Sequence, residues 1–258
     1  MKTRVVLLAN HKPGLEVCKI LSSDQNVEIV AVFTTGEIAQ YDAEIKSLLL
    51  NDEIPMYRGR EVWASPDIHK ILEPLKIDYL ISVYWPWLIK EFVFPLFKDS
   101  INFHPALLPK NRGWFPHVYN IKDGTQPGVT LHRITIEADA GEIWASKEVE
   151  LLPSDTASEL YFRLQSEIVS LFERIWPRIL GGEISAVPQK HEEATYNSKN
   201  EISTFDQINL DSQVQVRSFI NLLRSRTFNG NGFAFYYEQG KKISIAISLK
   251  EIPNDSIS

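Results

Sequence analysis

The sequence predicts an α/β fold. It reads as a Rossmann-like, doubly wound, mainly parallel sheet, followed by a small C-terminal domain of one helix and a β-hairpin. Three observations carry that reading. Continuous apolar runs alternate with segments of helical spacing between Arg4 and Tyr84, the pattern of parallel βαβ units. A pair of strand-like segments and a long amphipathic stretch follow, up to Leu180. Near Gln189 the composition turns polar, and a shorter helix and two alternating segments come after it.

Taken in order, Arg4 to Asn10 (RVVLLAN) is a strand buried on both faces and ended by a polar turn. Gly14 to Leu21 has helical spacing. Val27 to Thr34 (VEIVAVFT) is a second buried strand and Tyr41 to Leu50 a second helix. Pro66 to Leu75 reads as helix, with Ser65 as N-cap and Pro66 in the first turn. Asp78 to Tyr84 (DYLISVY) is the third buried run, and Ile101 to His104 a short strand. Gly128 to Thr135 and Glu142 to Leu151 are strands that pair through the loop Ile136 to Gly141. Ser154 to Leu180 is a long helix, capped by Thr156 and ended by Gly181-Gly182. Lys190 to Asn200 (KHEEATYNSKN) reads as a linker, which places domains at 1–190 and 191–258. Ser212 to Arg226 is helical, and Gly232 to Tyr237 and Ile243 to Leu249 form a hairpin around Glu238-Gln239-Gly240-Lys241.

The net charge of −6 argues against a chain whose main task is gripping phosphate backbones. A single cysteine, Cys18, excludes an internal disulfide and fits a reducing cytoplasm. The apolar run at the start is too short for a signal peptide, and no segment reaches membrane-span length.

Three side chains carry chemistry. Asn102 and His104 share one face of a short strand, because side chains alternate with period two. Pro105 and Pro109 then stop the strand and stiffen the loop. Asp139 lies in the loop Ile136 to Gly141, which glycine lets turn tightly. An amide, an imidazole and a carboxylate suit acyl transfer. Asn102 donates to an oxyanion, His104 takes a proton from an attacking amine or supports the oxyanion as a cation, and Asp139 sets the histidine tautomer. No serine or cysteine nucleophile is apparent beside them, so the substrate's own amine attacks directly. His117 and His132 lack such a setting, and His132 reads as a packing residue. No metal site is expected.

The order Asn102-Phe103-His104-Pro105, Leu107-Leu108-Pro109-x-x-Arg112-Gly113, Gly128-Val129-Thr130-Leu131-His132 and Asp139-Ala140-Gly141 resembles the folate-dependent formyltransferases. The likeness is strong over residues 78–190 and looser over the β/α start. It implies that Asn102, His104 and Asp139 are the catalytic trio and that the cosubstrate is 10-formyltetrahydrofolate. It also implies a pterin site at Tyr84, Trp85, Pro86, Trp87 and Leu88 and at Ile134, Thr135, Ile136, Glu137, Ala138 and Asp139.

Within that family the acceptor is expected to be a dTDP-linked amino-dideoxyhexose, most of all dTDP-4-amino-4,6-dideoxyglucose. The loop Lys110, Asn111, Arg112, Gly113, Trp114 and the extension beyond residue 194 resemble sugar N-formyltransferases. Asn10, His11 and Lys12 replace the glycine-rich phosphate loop of glycinamide ribonucleotide formyltransferases. Arg224 or Arg226 would meet the diphosphate, and Tyr196, Phe228 or Tyr237 would stack on the base. The alternatives are a 3-amino isomer or UDP-amino sugar, a methionyl-tRNA formyltransferase, and an inactive nucleotide-sugar or folate binding module. A homodimer through the C-terminal domain is expected, with no nucleic-acid or membrane partner.

Overall fold

The computed structural model describes residues 1–36, 40–49 and 53–252. Its centre is a seven-stranded sheet. In chain order the strands are β1 (Thr3–Ala9), β2 (Val27–Thr34), β3 (Met56–Arg58), β4 (Ile77–Val83), β5 (Phe97–His104), β7 (Gly128–His132) and β8 (Ile143–Glu148). The two-residue strand β6 (Arg112–Gly113) lies outside it. The spatial order is β3-β2-β1-β4-β5-β7-β8. The pairings among β1 to β5 are parallel, while β7 is antiparallel to both neighbours. The order reverses between β1 and β4, and at such a switch point the carboxyl ends of the strands leave a crevice for ligands.

Period two sorts the strand residues between two cores. Val5, Leu7 and Ala9 of β1 face one side, with Ile81, Ile101 and Phe103. There they meet the helices α1 (His11–Ser23) and α6 (Ala157–Leu180). Val6 and Leu8 face the other side, against Trp63, Ile68 and Leu72. These come from the short helices α3 (Arg60–Ala64) and α4 (Ile68–Leu72). α2 (Asp42–Leu49) completes the early βα units, and Leu50, the expected end of that helix, lies outside the described residues. Helix α6 starts with a capping box: Thr156 is the N-cap and Glu159 reaches back to its backbone N–H.

Several boundaries differ from expectation. The helix read over Pro66 to Leu75 is broken into α4 and a 3-10 turn, and Ser65 Oγ accepts from Asp67 N in a local turn instead of capping a helix. Helix α5 (Pro116–Asp123) follows β6 and was not anticipated. Its Phe115-Pro116-His117 start hides the helical period behind a left-handed residue, Phe115, at φ 54°.

The stretch read as a linker is built into the fold. Its strand β9 (Tyr196–Asn197) pairs in parallel with β6. Arg112 N donates to Thr195 O at 2.9 Å and Trp114 N to Asn197 O at 2.9 Å. Gly113, at φ 88°, permits this approach: a Cβ there would lie 2.4 Å from the Asn197 carbonyl oxygen. Beyond it come α7 (Val216–Ser225), the pair β10 (Thr227–Phe228) and β11 (Asn231–Gly232), and the hairpin β12 (Ala234–Glu238) and β13 (Lys241–Ile245). Among the described residues, no helix is long and apolar enough to cross a membrane.

Candidate active site at the strand ends

A cleft of about 440 Å³ opens beyond the carboxyl ends of β1, β4 and β5. Strand β5 delivers Asn102 and His104 to it, as the period-two reading required. Asp139 arrives from the loop between β7 and β8, with φ 54°, a left-handed conformation that Asp tolerates better than most residues. Gly141 closes that loop so tightly that a Cβ would lie 1.9 Å from the Arg133 carbonyl oxygen.

The three side chains converge on one atom. Asp139 Oδ1 is 3.5 Å from His104 Nδ1, 3.5 Å from Asn102 Nδ2 and 3.4 Å from His132 Nε2. The other oxygen, Oδ2, accepts from Gly113 N at 2.8 Å. Burial alone would raise the Asp139 carboxyl, but the facing His104 and His132 rings and the Gly113 N–H outweigh it. The carboxyl is held well below its ordinary range. Burial holds His104 below 6.5, against the opposing pull of Asp139. At neutral pH the pair is therefore a carboxylate beside a neutral imidazole.

One expectation about this pair is corrected. The tautomer of His104 is not set by Asp139. His104 Nε2 lies 2.8 Å from the Asn111 carbonyl oxygen, which only accepts, so Nε2 carries the ring proton. Nδ1 is then the nitrogen with a free lone pair.

His132 is a second correction. Read as packing, it stands opposite Asn102 in the β5–β7 register, and Asn102 Nδ2 donates to His132 Nε2 at 3.0 Å. Its own Nδ1–H donates to Arg133 O at 2.7 Å. Alternation places His132 on one face of its strand, but only the antiparallel register brings it to Asn102. Gln189 is a further residue the sequence reading passed over. Its Nε2 donates to Asp139 O at 2.9 Å and to Gly141 O at 2.6 Å, so it holds the Asp loop from behind.

The expected pterin residues divide. Tyr84, Trp85, Pro86, Trp87, Leu88, Ile134, Thr135 and Ala138 line the cleft with Asp139, whereas Ile136 and Glu137 point away and are exposed. Trp85 spans core and cleft, packing edge-on against buried Trp63 on one side and Trp87 on the other. Tyr84 Oη and Trp85 Nε1 are buried without a protein partner.

The expected acceptor residues divide more sharply. Asn10, His11, Gly113, Trp114 and Tyr196 line the cleft. Asn10 is also a brace, donating to Tyr84 O at 3.0 Å and accepting from Thr35 Oγ1 at 3.2 Å. Lys12 and Lys110 are exposed and lie off the cleft. Arg112 is buried beneath the Asp loop, where it donates to Gln189 Oε1 at 2.8 Å and faces Glu137.

Arg224 and Arg226 do not reach the cleft. Arg224 donates to Asp155 O and Leu152 O at 2.7 and 2.6 Å. Arg226 makes a two-pronged pair with Asp206 at 2.5 and 2.9 Å. Both side chains are buried and bonded within the protein, away from the cleft, which speaks against them as diphosphate contacts. Phe228 packs on Tyr161, and Tyr237 stands exposed on the hairpin against Phe235, so neither faces the cleft. Among the described residues, no group of three or more His, Cys, Asp or Glu side chains could hold a metal ion.

Chemically, the cluster can transfer an acyl group to an amine. Asn102 Nδ2 can turn the N–H that makes the long contact to Asp139 Oδ1 toward a developing oxyanion. His104 Nδ1, facing the Asp139 carboxylate, can take a proton from an amine and give it to a leaving nitrogen.

Comparison with known proteins agrees. Residues 4–175 match the family model described as formyl transferase, and residues 201–251 match one described as an N-formyltransferase dimerization C-terminal domain. A methionyl-tRNA formyltransferase from Mycoplasma mycoides is 29% identical over 232 residues, which cover 87% of this chain and 71% of that protein. The crystal structure of a 4-N formyltransferase from Francisella tularensis superposes with a TM-score of 0.82 at 24% identity, covering 97% of this chain and 99% of that one. An N-formyltransferase from Helicobacter canadensis, determined with folinic acid and dTDP-3-aminofucose, gives 0.65 at 19% identity, covering 94% and 86%. At such identities the structural likenesses establish the fold.

Proposed function

This chain belongs to the formyl transferase family, and from that premise we propose that it moves a formyl group from 10-formyltetrahydrofolate to the amine of a dTDP-linked amino-dideoxyhexose, in the first place dTDP-4-amino-4,6-dideoxyglucose. The observation that carries the chemistry is the convergence of His104 Nδ1 and Asn102 Nδ2 on Asp139 Oδ1, each at 3.5 Å. The amine nitrogen attacks the formyl carbon. A new C–N bond forms, the bond from that carbon to the folate nitrogen breaks, and the amine proton passes through His104 Nδ1, which faces the Asp139 carboxylate, to the departing nitrogen. The folate supplies the electrophilic carbon.

The cleft suits such a donor. Its walls at Tyr84–Ile89 and at Ile134, Thr135, Ala138 and Asp139 are irregular backbone between aromatic and aliphatic side chains. Planar heterocycles take such a site, with a few polar groups fixing orientation. On the acceptor side, Trp114 and the half-exposed Tyr196 stand at the mouth, with Lys199 over the Trp114 ring at 4.8 Å. They take the stacking and charge roles that Phe228, Tyr237 and the two arginines cannot. The dTDP-linked sugar acceptor is supported by the likeness to the Helicobacter canadensis enzyme determined with dTDP-3-aminofucose, and the 4-amino position by the 4-N formyltransferase likeness along nearly the full length of both chains.

A second reading, formylation of methionyl-tRNA, is favoured by the Mycoplasma relative and opposed by the net charge of −6. We also propose the division into residues 1–190 and 191–258 as catalytic and accessory parts. The hairpin face, with Phe233 and Tyr237 half exposed, would close a homodimer. The deciding experiment incubates the protein with 10-formyltetrahydrofolate and a panel of dTDP- and UDP-linked 3- and 4-amino sugars beside methionyl-tRNA. The expected result is a mass gain of one formyl group, with the highest kcat/KM on the dTDP-4-amino sugar. Comparable kcat/KM for dTDP and UDP forms would refute thymine selectivity, and a formylated tRNA with untouched sugars would refute the sugar reading.

A further inference from the structure

We propose that Thr195 and Asn197, which follow the catalytic fold in the chain, are positioning residues for His104: acting through Asn111, they fix the ring proton on Nε2 and leave Nδ1 as the nitrogen that exchanges protons. The inference rests on His104 working in formyl transfer, but its structural half can be read without any turnover.

The argument begins at Asn111. This residue has φ 55°, a left-handed conformation that asparagine tolerates better than most residues. The direction of its carbonyl is held by its contacts. Three contacts hold it, all from the same segment. Arg112 N, which shares a peptide plane with the Asn111 carbonyl, donates to Thr195 O at 2.9 Å. Asn111 N donates to Thr195 Oγ1 at 2.7 Å, and Asn197 Nδ2 donates to Asn111 Oδ1 at 3.0 Å. So held, the Asn111 carbonyl oxygen lies 2.8 Å from His104 Nε2. The β6–β9 pairing fixes the next residues as well, and with them the Gly113 N–H that donates to Asp139 Oδ2 at 2.8 Å. Three consecutive residues beyond position 194 thus govern one partner of the imidazole and one of the carboxylate.

The chemical consequence follows from the two nitrogens. The charged and titratable groups facing His104 are Asp139 from its loop, His132 from β7 and Arg112 from β6. With Nε2–H engaged, the lone pair of the neutral ring points from Nδ1 toward Asp139. As the amine attacks, Nδ1 takes its proton. The imidazolium then has an acceptor for each N–H, Asn111 O and Asp139 Oδ1. When the donor's C–N bond breaks, Nδ1 returns the proton to the leaving nitrogen. If Asn111 is released, the neutral ring is free to place its proton on Nδ1 against the carboxylate, and the base is lost.

Thr195→Val removes the hydroxyl and keeps the shape, while Thr195→Ser keeps the hydroxyl. Thr195→Val should lower kcat by roughly 10-fold or more, toward the ~10²-fold that a misplacement of about 1 Å costs. KM for the folate donor should stay within about two-fold, because ground-state binding is untouched. The limb of the kcat–pH profile that reports His104 should move, and Thr195→Ser should restore both rate and profile. ¹⁵N spectra of the histidine ring should show His104 as the Nε2–H tautomer in the wild type and as a mixture in Thr195→Val. Asn111→Gly guards against misfolding: glycine accepts φ 55° freely, yet it loses the Asn197 anchor and should show the same mixture more weakly. A wild-type Nδ1–H tautomer, or an unchanged spectrum and kcat in both variants, would overturn the proposal. A tautomer that shifts as described in a protein that formylates no acceptor would instead overturn the formyl-transfer reading and leave the positioning device standing.

Discussion

Asp139 and Arg226 are both buried ions, and they are buried in opposite ways. The Arg226 guanidinium is matched fork to fork by Asp206 at 2.5 and 2.9 Å, away from any cleft. Asp139 Oδ1 has three polar neighbours, all at 3.4–3.5 Å, and it lines an open pocket. The first geometry is a completed bond. The second is a set of long contacts, among them a 3.5 Å hydrogen bond from Asn102 Nδ2, which a reacting atom can enter. Buried charge by itself therefore does not mark a site in this protein. Charge that is buried, loosely met and beside a cleft does.

The largest effect that separates the two regions is on turnover. His104→Asn should lower kcat by roughly 10²- to 10⁴-fold, with the fold intact but the melting transition lowered, because the buried ring's bond to Asn111 O is lost. Stopped assays beside a thermal scan would check both halves. Next comes Arg226→Ala, which strands Asp206 in the interior and should cost about 3–5 kcal/mol of stability, while the surviving folded fraction keeps its KM for the nucleotide sugar. A raised KM at unchanged stability would return Arg226 to the acceptor site. Arg224→Gln orphans the Asp155 and Leu152 carbonyls and should cost about 1–3 kcal/mol, again without a KM effect, as denaturant titration would show.

The comparison also explains what the sequence could reveal. The strands β1, β2 and β4 were legible because a strand buried on both faces must be a continuous apolar run. Asn102 and His104 were legible because period two requires them to share a face. His132 was hidden, since only the register of β5 against β7 makes it a neighbour of Asn102. The two arginines were misread because a solvent-facing arginine and a buried, paired one are written with the same letter. The linker reading failed for a related cause. Polar residues suit a loop, but Thr195 and Asn197 use their polar atoms to bond Asn111, and composition cannot distinguish the two uses.

A smaller effect sharpens the contrast through pH. His117 is buried without a partner on Nδ1, and burial lowers its pKa to about 3. The unfolded chain, with a His pKa near 6.5, binds this proton first. Folding stability should therefore be lost progressively as pH falls from 6.5 toward 3. His104, also lowered by burial, acts with the same sign. Melting temperatures across that window should fall less steeply in His117→Gln than in the wild type, and parallel curves would show that His117 is not held neutral by the fold.

The central claim is that the loosely met carboxylate, and not the saturated arginines, does the chemistry. It is tested most directly by single-turnover transfer of the formyl group from 10-formyltetrahydrofolate to a dTDP-linked 4-amino sugar in Asp139→Asn. The fold should survive, since the amide keeps the shape and can still accept from Gly113 N. The rate should fall by roughly 10²-fold or more. A folded Asp139→Asn protein that transfers at close to the wild-type rate would contradict the account.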